Sequence, residues 1–91
     1  MSIYVDRERN RFGRMIMCHM FADTIPELMT FAKRLGLRDE WFQDDKTPHF
    51  DICLAKRREA IQKGAVEIDR RQAYRIILEW RAKRREGKDN G

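Results

Sequence analysis

Both histidines of this sequence occur a few residues before an aspartate, inside short apolar stretches. His49 and Asp51 are separated by one residue in "HFDI", and His19 and Asp23 bound the segment "HMFAD". On a β-strand, residues two positions apart point to the same face, so His49 and Asp51 would lie side by side. An imidazole beside a carboxylate can act as a general base with its orienting partner, or can bind a metal ion. We therefore predict a polar pocket built from two similar halves.

Structural roles for these side chains stay open. Within the apolar stretch "MIMCHMF", His19 can be a core residue that bonds to a backbone carbonyl. Asp23 and Asp51 each precede a predicted helix, where an aspartate commonly caps free backbone N–H groups. A shared pocket is favoured because both histidines occur with an aspartate at a strand-to-helix junction. We predict His49, Asp51 and His19 as catalytic residues, with metal binding left open.

Further charged residues are predicted to bind the ligand of this pocket. Arg14 precedes the second predicted strand, and Arg58, with Arg57 as its alternative, lies early in the second predicted helix. A guanidinium at either place could bind a phosphate group. Asp6 ends the first predicted strand and could reach the same edge of the sheet. The predicted ligand-binding set is Arg14, Asp23, Arg58 and Asp6.

Strands and helices are predicted to alternate along most of the chain. Stretches rich in β-branched, aromatic and other apolar residues predict strands at 2–5, 15–21, 49–52 and 65–68. Apolar residues at helical spacing, with capping signals, predict helices at 23–37, 53–64 and 70–86. "RERNRFG" is predicted to be a polar loop, and "WFQ" at 41–43 either a short strand or an aromatic plug.

This order of elements predicts an α/β fold. We expect a small single domain over 1–86, with a mostly parallel sheet of about four short strands and three helices, and a disordered tail at 87–91. In open parallel sheets, ligands bind at the carboxyl ends of the strands, beside helix N-termini. The predicted strand-to-helix junctions would therefore surround one pocket.

Composition and charge limit the classes of function. The chain has 91 residues, 42% of them hydrophobic, and a net charge of +5, which favours an anionic partner such as a nucleotide, nucleic acid or acidic protein surface. Cys18 and Cys53 form no CxxC pair, which argues against a zinc knuckle. The sequence has no signal peptide and no apolar run long enough to cross a bilayer, so we expect a cytoplasmic protein without a membrane partner.

The last predicted helix offers a second kind of binding surface. A basic helix with an apolar inner face could lie along nucleic-acid phosphates, although a solvated surface helix explains the same pattern. Its basic residues are Arg70, Arg71, Arg75, Arg81, Lys83, Arg84 and Arg85. The GxGxxG, Walker and GxSxG motifs are absent from the sequence.

The segments "YVD", "GRMIMCHMFADTIPELMTFAKRLGL", "HFDI" and "GAVEI" together resemble a small family of bacterial and phage proteins that carries only a domain-of-unknown-function label. The family pattern runs Asp, Gly-Arg, Ser-His, Asp-Thr, His-Tyr-Asp, Gly-Ala. Cys18 stands where serine is usual, Phe50 where tyrosine is usual, and Met29 or Thr30 where a histidine is usual. The resemblance implies this fold and no established activity. It implies polar family positions at Asp6, Arg14, His19, Asp23, Glu27, His49, Asp51 and Arg58.

We predict that the pocket binds a phosphate-containing small molecule, most simply a nucleotide. If the pocket is catalytic, hydrolysis or phosphoryl chemistry with His49 as acid or base is the simplest chemistry. The identity of any cofactor is left open. The alternative is a non-enzymatic binding protein. It would be either a phage-type accessory or counter-defence factor that captures a host nucleotide or protein, or a weak nucleic-acid binder that uses the last helix.

Overall fold

A mixed β-sheet forms the centre of the molecule. The structure is a computed structural model that describes residues 2–89, with side chains described as far as residue 86. The strands of this range are β1 (Ile3–Val5), β2 (Asn10–Phe12), β3 (Met15–Ala22), β4 (Phe50–Cys53) and β5 (Val66–Glu67). Its helices are α1 (Ile25–Arg34), α2 (Leu54–Gln62) and α3 (Arg70–Asp89), with a short 3₁₀ helix at Asp39–Trp41.

The central strand is β3, which pairs along both of its edges. Strand β4 lies on one edge, while β1 and β2 follow one another along the other edge, and all three are antiparallel to β3. Met20, for example, pairs with Val5 on one side and with Phe50 on the other. Strand β5 lies outside β1 and is parallel to it.

The prediction of a mostly parallel sheet is wrong, because four of the five strands join through antiparallel pairs. The prediction assumed that a helix crosses over between successive strands. No helix separates β1 from β3. The polar segment predicted to be a loop contains β2 and a tight turn at Gly13, whose φ of 61° lies in the left-handed region that glycine adopts freely. The chain therefore reverses direction between β2 and β3 and forms antiparallel pairs. The predicted α/β class with three helices agrees with the structure.

Alternation along β3 separates two apolar clusters on opposite faces of the sheet. Cys18 and Met20 face the main core, into which α1 and α2 pack. Phe21 points the other way and packs with Ile68 and Ala73, so α3 covers part of the second face. The main core consists of Val5, Cys18, Met20, Ala22, Leu28, Phe31, Ala32, Leu35, Leu37, Phe50, Ile52, Ala60 and Ala65.

Specific polar contacts hold the helices to the sheet. The predicted capping box of α1 is present, since the Thr24 hydroxyl accepts a hydrogen bond from the Glu27 backbone N–H at 3.3 Å. Helix α3 is tied to β3 by Trp80, whose indole Nε1 donates to the carbonyl of Ala22 at 3.0 Å. The α3 backbone continues to Asp89, and residues 90 and 91 of the predicted tail lie outside the described residues. The disordered tail therefore stays a prediction.

The segment at 41–43 is not a strand, but Phe42 packs against the main core with its ring centroid 5.6 Å from that of Phe50, as the aromatic-plug alternative predicts. Trp41 ends the 3₁₀ helix, and Gln43 forms a single antiparallel bridge with His49.

None of the helices in the described part of the chain has the length and apolar character required to span a bilayer.

Candidate functional site

The two histidines and Asp51 meet on the face of the sheet that α3 partly covers. His19 on β3 pairs directly with Asp51 on β4, and His49 lies two residues earlier in the chain, on the same face as Asp51. Nε2 of His19 lies 3.7 Å from Oδ1 of Asp51, and Nε2 of His49 lies 3.6 Å from the same oxygen. We call these three residues the His–Asp cluster.

Asp6 fixes the position of His19. Asp6 follows the last residue of β1, and its backbone N–H donates to the His19 carbonyl at 3.1 Å, while its carboxylate accepts the His19 backbone N–H. Oδ2 accepts a hydrogen bond from Nδ1 of His19 at 2.7 Å, and Oδ1 accepts from the His19 backbone N–H at 2.9 Å and the Glu8 N–H at 3.2 Å. Asp6 is only 3% exposed, so this buried carboxylate fixes both the ring and the backbone of His19.

Asp6 and His19 shift each other's protonation equilibrium. Burial alone would raise the pKa of Asp6, but hydrogen bonds from the side chain and backbone of His19 outweigh burial and lower it. The side-chain hydrogen bond to Asp6 raises the pKa of His19, against the opposing effect of burial, and the charges of Asp6 and Asp51 add to the increase. The geometry therefore favours an ionised Asp6 beside the imidazole.

His49 is held by the loop that precedes β4. Its Nδ1 lies 2.7 Å from the backbone carbonyl oxygen of Thr47, which can only accept a hydrogen bond. The neutral ring therefore carries its proton on Nδ1 and has a lone pair on Nε2. The loop itself is held by Asp45, whose carboxylate accepts from the Thr47 N–H at 3.0 Å.

Asp51 is oriented by Gln43. The Gln43 side-chain amide donates to Oδ2 of Asp51 at 2.7 Å, which leaves Oδ1 directed at the two imidazoles. Gln43 is brought there by its backbone bridge to His49, with N–O distances of 2.9 and 3.1 Å. Each member of the His–Asp cluster thus has a separate partner that fixes its orientation.

A cleft of about 710 Å³ opens beside the cluster, between the sheet and α3. His19, His49 and Asp6 line its floor, and the side chains of Phe21, Tyr74 and Ile77 contribute apolar surface. We call it the α3 cleft. Its remaining lining residues are Arg7, Glu8, Asp45, Lys46, Thr47, Arg70, Ala73 and Arg81.

A protein-family model described as "Protein of unknown function (DUF4031)" matches residues 3–80. The chain belongs to the DUF4031 family. The match confirms the resemblance to a family of unknown function, and it covers the His–Asp cluster, its partners and most of the α3 cleft. No curated protein and no solved structure matches the chain.

The DUF4031 fold brings together four of the predicted site residues: Asp6, His19, His49 and Asp51. Their grouping across the face of the sheet, with His19 opposite Asp51, differs from the expected pocket at the carboxyl ends of parallel strands. Neither predicted aspartate caps a helix, because Thr24 is the N-cap of α1 and Cys53 that of α2.

The other three predicted residues lie elsewhere in this DUF4031 chain. Asp23 follows the end of β3, where its carboxylate accepts hydrogen bonds from the Tyr4 hydroxyl at 2.9 Å and the Ser2 N–H at 3.1 Å. Arg14 is exposed in the turn between β2 and β3, and Arg58 is exposed on α2. None of the three lines the α3 cleft.

Arg57, the alternative to Arg58, has a positioning role. Its Nε donates to the backbone carbonyl of Asp6 at 2.9 Å, and its guanidinium pairs with Glu67 on β5 at 3.0 Å. Arg57 thereby joins α2, the end of β1 and β5 behind the His–Asp cluster.

Several residues of the DUF4031 site were not predicted. Gln43 lies in the segment "WFQ", and pairing that segment with "HFDI" would have placed it near Asp51. The α3 residues of the cleft share one helix face, because they recur at intervals of three or four positions. That pattern was available in the sequence, and the residues are Arg70, Ala73, Tyr74, Ile77 and Arg81.

Proposed function

We propose that this protein binds a phosphate-containing, nucleotide-like small molecule in the α3 cleft. The observation that carries the proposal is the combination of an apolar, partly aromatic wall with a basic rim around a polar floor. Small-molecule sites are typically concave and mostly apolar, with a few converging polar groups, and this cleft has those features.

The wall supports recognition of a flat, apolar group. Tyr74 is 58% exposed although it lines the cleft, so one face of its ring is accessible to a ligand. Phe21 lies deeper, stacked on His19 with ring centroids 5.8 Å apart. An aromatic base could stack or pack against such surfaces, because aromatic rings favour offset or edge contacts.

The rim supports recognition of an anion. Four cationic side chains line the cleft: Arg7, Lys46, Arg70 and Arg81. Arg70 has an ion-pair partner, Glu8, at 3.8 Å; the Arg70 side chain is largely exposed and that of Glu8 is partly buried. The other three have no ion-pair partner among the described residues, so their charges are available to a phosphate.

The basic outer face of α3 is less suited to nucleic acid than its sequence suggests. Lys83 donates to the backbone carbonyl of Asp23 at 3.1 Å, and Arg84 pairs with Asp44. Both cations also lie over the Trp80 ring, at 4.8 and 5.8 Å from its centroid. Two of the seven basic residues named from the sequence are therefore engaged within the molecule, which reduces the free positive charge of the helix surface.

Hydrolysis of the ligand is the chemistry that the floor could add. His49 lines the cleft, and its Nε2 has a lone pair and lies 3.6 Å from Oδ1 of Asp51, so it could accept a proton from an attacking water. In this proposal His49 is the catalytic base, and binding of the ligand is the function that the experiment tests first.

The test measures thermal stability and calorimetric binding with nucleotides, cyclic nucleotides, phosphosugars and inorganic phosphate. A ligand at ~100 times its dissociation constant stabilises the folded protein by roughly 2.7 kcal/mol, which gives a clear shift in Tm. We expect the double variant Lys46→Glu/Arg81→Glu to lose this shift. The matched control is Arg71→Glu/Arg75→Glu, which changes the charge of the molecule equally at exposed positions that do not line the cleft.

The absence of a Tm shift with every compound would reject the proposal. Equal loss of the ligand-induced Tm shift in both double variants would also reject it. An equal loss would instead indicate attraction by overall positive charge. Incubation of a bound compound, followed by chromatography of the products, separates turnover from capture.

A further inference from the structure

We propose that the His–Asp cluster binds a divalent first-row transition metal ion, with His19, His49 and Asp51 as its three protein ligands. This inference concerns the metal alone and stands whether or not the α3 cleft binds a phosphate-containing ligand. A metal ion on Nε2 of His49 would occupy the lone pair that hydrolysis by a free His49 base requires, so those two roles of His49 exclude each other.

The spacing of the donor atoms fits one ion. One potential ligand atom from each of the three residues lies within 4.8 Å of the other two. The two Nε2–Oδ1 distances are 3.7 and 3.6 Å. Tetrahedral ligands at the usual Zn–N and Zn–O distances lie roughly 3.3–3.5 Å from one another. Both Nε2–Oδ1 distances exceed this range by only a few tenths of an ångström. The two histidine donor atoms lie within 4.8 Å of each other, so a bound ion would draw the imidazoles together.

The hydrogen bonds around the cluster direct lone pairs towards its centre. Nδ1 of His19 bonds to the Asp6 carboxylate and Nδ1 of His49 to the Thr47 carbonyl, so in each neutral ring Nε2 is the unprotonated nitrogen. Metal-binding histidines characteristically donate their other N–H to a carboxylate or a backbone carbonyl. This chain supplies one example of each.

With both imidazoles neutral, Asp51 and Asp6 give the cluster and its surroundings two negative charges, and neither carboxylate forms an ion pair with Lys or Arg among the described residues. Asp51 has two imidazoles and the neutral Gln43 amide around its carboxylate, and no Lys or Arg ion pair within the described part of the chain. Asp6 adds a second carboxylate behind His19. Two carboxylates with two neutral imidazoles give a charge that a divalent cation balances.

The cluster also leaves coordination positions accessible. The side chains of His19 and Asp51 are 29% and 40% exposed, and both histidines line the α3 cleft. Three protein ligands with an open position are typical of catalytic zinc sites, whereas structural sites usually have four. The group of donor atoms contains no thiolate. Cys18 points into the main core, and Cys53, which alternation places on the same face as Asp51, is not part of the group.

The donor set selects the class of metal. Imidazole suits zinc, iron, nickel and copper, whereas magnesium and calcium prefer oxygen ligands. We therefore use Zn²⁺ and Co²⁺ as probes and Mg²⁺ and Ca²⁺ as comparisons.

The experiment uses the full-length chain after treatment with a chelator and dialysis. Calorimetry with Zn²⁺ is expected to give one site per chain, and Co²⁺ is expected to give visible absorption bands from the bound ion. Mg²⁺ and Ca²⁺ are expected to bind at least tenfold more weakly than Zn²⁺.

Three conservative variants test the ligands. His49→Asn keeps a donor near the Thr47 carbonyl but removes Nε2, His19→Asn does the same beside Asp6, and Asp51→Asn keeps the shape of the carboxylate. Each is expected to weaken Zn²⁺ binding by more than tenfold. The control Asp39→Asn removes a carboxylate from the exposed 3₁₀ helix and is expected to bind Zn²⁺ like the unchanged protein.

Circular dichroism of each metal-free variant separates a lost ligand from a lost fold. Should His19→Asn unfold, the other two variants still decide the question. Absence of Zn²⁺ and Co²⁺ binding to the unchanged chain would overturn the proposal, as would binding that His49→Asn and Asp51→Asn leave intact. The Lys46→Glu/Arg81→Glu variant is expected to keep the metal site, so failure of the ligand proposal is distinguishable from failure of this one.

Discussion

Asp6 determines which nitrogen of His19 carries the proton. Its two carboxylate oxygens have different tasks, because Oδ1 accepts two backbone N–H groups while Oδ2 accepts only the imidazole Nδ1. An asparagine at this position can keep its oxygen on the backbone N–H groups, and its NH₂ group then faces the imidazole. The backbone contacts and the ring contact can therefore be changed separately.

We predict that Asp6→Asn reverses the tautomer of His19. The asparagine NH₂ would donate to Nδ1, so the neutral ring would carry its proton on Nε2, facing Asp51. Nitrogen chemical shifts of the imidazole, measured by NMR on the metal-free protein, report the tautomer directly. Unchanged shifts would show that Asp6 does not set it.

The same variant should affect the proposed metal site. Loss of an outer hydrogen-bond partner typically weakens metal binding about 10–100-fold, and here the ligand nitrogen would also be protonated. Zn²⁺ calorimetry on Asp6→Asn checks this expectation, with the Asp39→Asn protein as its control.

Cys18 should be unreactive in the native protein. Cys18 is 1% exposed, and burial, aided by the charge of Asp6, raises the pKa of its thiol to about 12. The reactive thiolate is therefore scarce at neutral pH, and the sulfur is also shielded from reagents. We predict that iodoacetamide leaves Cys18 unmodified in the native protein and modifies it in denaturant, as peptide mass spectrometry would reveal. Native labelling of Cys18 at the denatured rate would contradict this.

Period-two alternation explains which site residues were predictable. His49 and Asp51 were assigned to one face because neighbouring strand residues alternate, and that local rule holds in an antiparallel sheet as well. Arg14 was chosen because it follows Gly13 before the second predicted strand, and Arg58 because it lies early in the second predicted helix. Whether such positions meet in one pocket depends on strand direction, which short-range sequence patterns do not determine.

At the scale of elements, α3 depends on a small set of contacts. Its apolar side chains join only the second, smaller cluster, and its Trp80 reaches across to the Ala22 carbonyl. The indole hydrogen bond is buried, so its loss leaves an acceptor without a partner.

We predict that Trp80→Phe lowers the free energy of unfolding by about 1–3 kcal/mol, the usual effect of leaving a buried group without its hydrogen bond. Chemical denaturation followed by circular dichroism measures the change. Trp41→Phe is the matched control, since Trp41 is 49% exposed at the end of the 3₁₀ helix, and it should change stability by less than about 0.5 kcal/mol. Equal effects of the two substitutions would show that Trp80 does not anchor α3.

The elements themselves were more predictable than their arrangement. The capping box at Thr24 and the apolar spacing of α1 are local signals, and both correspond to what the structure contains. Strand β2 was missed because its residues, Asn10–Phe12, are entirely exposed and owe their extended conformation to pairing with β3. Such pairing is a long-range property, and the polar composition of the segment gave no sign of it.

For the molecule as a whole, the net charge of +5 will draw many anions, so attraction alone does not identify a ligand. What distinguishes a specific ligand is contact with the wall and floor of the cleft as well as its rim. Interactions between exposed charges are screened by salt, whereas apolar contacts are not.

We predict that raising sodium chloride from about 0.05 M to about 0.5 M weakens ligand binding only in part, because screening removes the rim contribution and leaves the apolar one. Calorimetry with the ligand found in the screen measures how the binding affinity falls as the salt concentration rises. The affinity of the Lys46→Glu/Arg81→Glu variant should depend less on salt concentration than that of the unchanged protein. Complete loss of binding at high salt would indicate a purely electrostatic surface.

The floor and the wall of the α3 cleft belong to different parts of the chain. The floor is fixed by backbone pairing of β3 with its neighbours, while Tyr74, Ile77 and Arg81 project from one face of a helix that packs on the sheet from outside. Substitutions along that helix face can reshape the cleft without moving the imidazoles. Relatives that retain the floor residues but differ on α3 would keep the same imidazoles and carboxylates and bind different ligands. Such a division of the cleft is suited to rapid divergence of specificity.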